Sequence, residues 1–210
     1  DLPKVMSVHV MTLESVPMQR IFGRPQRHDF FWFGILLFPL HNIFWFGTLL
    51  FPLAAQAAPA PLFDAVLPDI QQQLPGDLQM RLPSYVPELP EPLYPSVAVG
   101  DTGLVVYLSP DPDCDRGVQP DCMTVGGAAA MNPTAFADWQ QRHQDDLTPV
   151  ALANNITGRY LTVDYGEGEI RYVAWQQDRT GYVLGVVAEG ISQDEFLRVA
   201  NSMVESEPIE

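Results

Sequence analysis

The chain has 210 residues, 47% of them hydrophobic, with two cysteines and a formal net charge of −15. Less an N-terminal leader, that length suits one domain of about 150 residues with a core of its own. From Ala58 onward seven Arg and no Lys stand against 23 Asp and Glu, a balance of −16; such a field repels nucleic-acid phosphates and anionic membrane surfaces, which excludes a DNA or RNA partner.

Residues 1–29 show little helical or strand periodicity and read as a cytoplasmic or mis-started segment, in which Met6, Met11 and Met18 each offer a start. Residues 30–53 are almost wholly apolar, interrupted only by His41, Asn42 and Thr48. As a helix this stretch reaches about 36 Å, enough to cross a hydrocarbon layer of about 30 Å. It is also a tandem duplication, FWFGILLFPL at 31–40 recurring as FWFGTLLFPL at 44–53. With one copy removed, Arg20, Arg24 and Arg27, a short apolar run and Ala55-Gln56-Ala57 form a signal peptide with an A-x-A site before Ala58. Residues 30–57 are therefore expected to be a signal peptide cleaved between Ala57 and Ala58, or a membrane anchor through 30–53 where the leader is retained. The arginines ahead of it hold the N-terminus inside and send the remainder out, periplasmic or secreted.

Residues 58–95 carry nine prolines and read as an extended linker that wraps onto the domain, with a short helix around Pro68 presenting Leu62, Val66 and Ile70. The domain proper, 96–210, opens with two strand-like runs either side of Gly100-Asp101-Thr102-Gly103, a hairpin signal. Cys114 and Cys122 flank a Gly- and Pro-containing loop and are expected to close it as a disulfide in an oxidising compartment. The aspartates of that loop, Asp111, Asp113, Asp115 and Asp121, alternate as in a calcium loop, but Arg116 and Cys122 occupy the positions where an EF-hand needs Gly and Glu. Residues 123–130 offer a further strand. Asn132-Pro133 then signals an N-cap and first turn, opening a helix to about His143 with Phe136, Trp139 and His143 on one face.

Runs at 159–165, 169–177 and 181–188, separated by short turns, predict an antiparallel meander. The middle run is apolar on both parities and should be covered on both faces. Ser192-x-x-Glu195 is a capping-box signature, and Phe196, Val199, Ala200 and Met203 fall at helical spacing, so an amphipathic helix closes the chain. The order of elements gives α+β: an antiparallel sheet packed with a C-terminal helix, behind an N-terminal signal or transmembrane helix.

Gly158, Tyr160, Trp175, Gly181-Tyr182, Asp194-Glu195 and Ala200-Asn201-Ser202-Met203 give residues 158–203 a resemblance to a C-terminal domain of unknown function of bacterial envelope proteins. That domain stands beside lipoprotein-carrier-like domains or in anti-sigma-factor regulators. The resemblance implies an extracytoplasmic α+β domain without known catalysis. Here no carrier domain adjoins it and no lipobox cysteine follows the apolar run.

Material for chemistry is sparse. His143 is the only histidine after Ala58, and no nucleophile-elbow, zincin, Walker A or dinucleotide-binding pattern occurs. His143 with Asp145 and Asp146 is an acid/base or metal candidate, and the same group suits a helix C-terminus. Glu167 and Glu169 flank a turn glycine, where a catalytic pair would lack burial. Tyr160, Tyr165, Tyr172, Trp175 and Tyr182 could line a ligand groove or pack the sheet. The favoured reading is a non-catalytic envelope module that binds an envelope protein or an apolar ligand, with no cofactor and no metal. The alternative is a small secreted hydrolase using His143 and a nearby carboxylate.

Overall fold

The computed structural model describes residues 57–114, 122–164 and 168–209. The apolar stretch 30–53, Tyr165, Glu167, Asp115 and Asp121 lie outside them. Among the described residues no helix is long and apolar enough to cross a membrane.

One seven-stranded antiparallel sheet organises the domain. Its strands are β1 (Tyr94–Gly100), β2 (Gly103–Ser109), β3 (Gly126–Met131), β4 (Thr148–Ala151), β5 (Thr157–Asp164), β6 (Glu169–Gln177) and β7 (Thr180–Val187), in the spatial order β1-β2-β3-β7-β6-β5-β4. The hairpin about Asp101-Thr102 and the β5-β6-β7 meander form where the turn chemistry places them. β4 went unforeseen: four residues with Pro149 among them give too short a run to read. The left-handed Asn154 and Asn155 turn the chain from β4 into β5.

Among the described residues three α-helices cover the sheet: α1 (Leu67–Gln73), α2 (Pro133–Arg142) and α3 (Gln193–Glu205). On one face α3 buries Phe196, Ala200, Met203 and Val204 against Val106, Val173, Trp175 and Tyr182. On the other, α2 sets Phe136 and Trp139 against Val105, Ala129, Ala174 and Val183. The two parities of β6 thus enter two different cores, Val173 and Trp175 one, Ala174 the other. Asn132 caps α2 by accepting from the Ala135 N–H at 2.9 Å, and Ser192 caps α3 by accepting from the Glu195 N–H at 3.2 Å. The capping box is only half made, since the Glu195 carboxylate accepts instead from the Tyr85 hydroxyl.

The proline-rich segment is part of the fold. Phe63, Val66, Ile70, Met80 and Leu82 enter the α3-side core, and β1 begins at Tyr94, inside the expected linker. Leu62 is only partly buried; Phe63 takes the inward place expected for it. Met80 pairs with Ile209 through two backbone hydrogen bonds of 3.1 and 2.7 Å, and the buried Arg81 donates to the Ser206 carbonyl and lies 4.0 Å from the Asp178 carboxylate. Ala57 forms a parallel bridge with Ser206, its carbonyl accepting from the Glu207 N–H at 3.0 Å. Cys114 and Cys122 are joined by a disulfide, with Cα atoms 5.6 Å apart.

Candidate functional site

The sheet register builds a groove on the α2 side. Tyr107 of β2 stands opposite Gly127 of β3, Gly127 opposite Gly185 of β7, and Gly185 opposite Tyr172 of β6. Side chains of one row share a face, so two tyrosines flank a pair of residues with no side chain. The depression between them is floored by the two glycines and walled by Val105, Ala129 and Ile170. Helix α2 covers only the other end of these strands, and Trp139 meets the Tyr172 ring edge-on at 6.4 Å.

The glycines admit close neighbours that a side chain would exclude. A Cβ on Gly185 would stand 2.8 Å from Tyr172 Cε1, and one on Gly127 would stand 2.8 Å from the Val106 carbonyl oxygen. Burial raises the pKa of Tyr172, and the nearby Tyr107 phenol adds to the effect, so the Tyr172 hydroxyl remains protonated at neutral pH. The space that remains, about 20 Å³, holds one water or one methyl group. Pockets for whole small molecules run from about 300 Å³. The groove therefore suits the tip of an aliphatic side chain.

Of the four aromatics expected at a ligand site, the structure brings only Tyr172 here. Trp175 and Tyr182 are 1% and 0% exposed and stack on each other at 5.4 Å in the opposite core, where the Tyr182 hydroxyl donates to the Gln79 carbonyl at 2.8 Å. Tyr160 shares their face and meets Phe196 edge-on at 6.5 Å. The register sends Tyr172 one way and its neighbours Val173 and Trp175 the other way. Tyr107, Gly127 and Gly185 were missed. Their signal was present in Gly126-Gly127 and Leu184-Gly185-Val186, glycines inside strand runs, which mark close backbone approach.

His143 ends α2 as its C-cap, half-buried against the Trp139 ring at 4.8 Å. Burial lowers its pKa, Arg142 lowers it further, and Asp146 opposes them. Asp145 and Asp146 are exposed, and among the described residues no ion pair joins either to the ring. Nor, among those residues, do three or more His, Cys, Asp or Glu side chains gather as a metal site would need.

Comparison with protein-family models, with curated proteins and with solved structures finds no match for the chain.

Proposed function

We propose that this chain is an exported, non-catalytic cell-envelope module that docks an apolar side chain of a protein partner between Tyr107 and Tyr172. The observation that carries this reading is the row Tyr107-Gly127-Gly185-Tyr172, which leaves a hole in the sheet surface beside a helix that could have covered it. A protein partner is preferred to a free apolar ligand on size, since the room is that of one methyl group. Export is supported by the charge-free apolar run ending in Ala55-Gln56-Ala57 and by the Cys114–Cys122 disulfide. The resemblance of residues 158–203 to an envelope domain belongs to the same reading. The hydrolase alternative has less behind it, because His143 packs on an indole and, among the described residues, no ion pair joins it to a carboxylate.

A photoreactive residue at Val187, on the groove wall, is expected to capture one discrete envelope-protein adduct in cells, and Gly185→Val is expected to abolish it by displacing the Tyr172 ring that shapes the groove. Absence of an adduct, or an adduct indifferent to Gly185→Val, would remove the reading.

A further inference from the structure

Strand β1 is an edge of the sheet, and its outward side can be assigned from its neighbour. The Leu108 carbonyl accepts from the Val125 N–H and the Thr102 carbonyl from the Asn132 N–H, both at 2.9 Å, so the even-numbered residues of β2 turn toward β3. The odd-numbered ones turn toward β1, where their partners are Tyr94, Ser96, Ala98 and Gly100. The backbone groups of Pro95, Val97 and Val99 consequently point off the sheet. Among the described residues none of them has a backbone partner.

Pro95 is the one element of the usual protection on this edge. Natural edges are blunted by charge, shortness or proline. The other edge, β4, is four residues long with Pro149 inside it. β1 runs seven residues, and from Pro92 to Gly100 there is no acidic or basic side chain in a chain of net charge −15. Tyr94 and Val99, at 37% and 43% exposure, are two of the three large hydrophobic side chains exposed among the described residues.

The edge is also self-complementary. We propose that two copies of this chain associate by pairing their β1 strands antiparallel about a two-fold axis at Val97. In that register the two Val97 residues exchange both backbone hydrogen bonds, and each Val99 N–H donates to the Pro95 carbonyl of the second copy. Pro95, which has no N–H, is asked only to accept. Each Tyr94 lies over Gly100 of the other copy, an aromatic ring covering a bare edge glycine. Asp101 falls opposite Leu93 and Glu91 opposite Gly103, so no carboxylates oppose each other across the pair. Two acidic molecules meet along an edge strand that carries no charge.

The full chain in detergent, followed by sedimentation over the micromolar range, is expected to dimerise. Val99→Glu, a change at an exposed side chain, is expected to weaken the dimer about tenfold by setting two carboxylates into the paired ladder. Register is read by crosslinking. Val97→Cys should give a covalent dimer on mild oxidation, because directly opposed residues in a hydrogen-bonded antiparallel pair lie about 5.5 Å apart between Cα atoms, within disulfide reach. Tyr94→Cys should not, since in this register its two copies lie about 20 Å apart. A chain monomeric throughout, a dimer indifferent to Val99→Glu, or equal crosslinking from both cysteine variants would overturn the proposal. The last two outcomes mark association through another surface.

Discussion

The ring of Tyr172 lies over the bare Cα of its cross-strand partner Gly185, so close that a methyl group there would stand 2.8 Å from Cε1. Contacts that short force a neighbour to move. Gly185→Ala gains strand propensity but overpacks the Tyr172 ring, and a net loss of about 1 kcal/mol is expected. In a Tyr172→Ala background the obstacle is gone, and the same change should be neutral or stabilising. A urea double-mutant cycle measures the difference; an equal cost in both backgrounds would show that Tyr172 does not set the shape of the groove.

Gly181 meets a harder constraint. Its Cβ would stand 2.1 Å from Phe136 Cγ and 2.4 Å from Phe136 Cβ, and the latter atom cannot swing aside without moving α2. Gly181→Ala is expected to lift that helix, costing about 3 kcal/mol and exposing Trp139 to water. The checks are a lower urea midpoint and a red shift in emission that is absent when Trp139 is replaced by Phe. A variant with the wild-type midpoint would contradict the close packing of α2 on β7.

Opening the Cys114–Cys122 loop tests a local constraint. For a closed loop this short the chain-entropy relation gives about 2.5 kcal/mol of stabilisation through the unfolded state. Urea unfolding with and without dithiothreitol should differ by that order, with native-state spectra unchanged because the loop only connects β2 to β3. Loss of the folded signal on reduction alone would assign the bond a larger role than its loop length allows.

The parts of this fold that were legible are those fixed by local chemistry. Asn132-Pro133 and Ser192 act through hydrogen bonds within three residues, Asp101-Thr102 turns a hairpin by itself, and the three C-terminal strands carry their own turns. Pairings distant in sequence were not legible. Nothing local says that Glu195 will accept from Tyr85 rather than complete its box, or that Met80 will pair with Ile209 and so draw the proline-rich segment into the core. The groove failed for a related reason. Its walls come from four strands, and its floor is an absence of side chains that acquires meaning only when Gly127 and Gly185 are seen to be neighbours. Tyr160, Trp175 and Tyr182 attracted attention by size, whereas parity and register decided their side of the sheet.

The buried Tyr182 makes the last prediction one of pH. Burial raises its pKa above the ordinary value near 10, while the Arg81 cation and hydrogen bonds to Thr180 and Arg81 pull it back and Asp178 adds a smaller upward push. A group whose folded pKa exceeds its unfolded one costs no stability below the unfolded value; stability then falls as pH rises from there through the folded value, because the unfolded chain releases its proton first. Unfolding free energy should therefore be insensitive to this group up to about pH 10 and decline above it. Tyr172, raised in the same direction, adds to the decline. Tyr182→Phe loses the bond to the Gln79 carbonyl, at a cost of about 1 kcal/mol near neutrality, yet should show a shallower decline in alkali, so that the two curves converge as pH rises. Urea titrations at intervals from neutral to strongly alkaline pH test this, and parallel curves would mean that the Tyr182 phenol does not resist ionisation in the folded state.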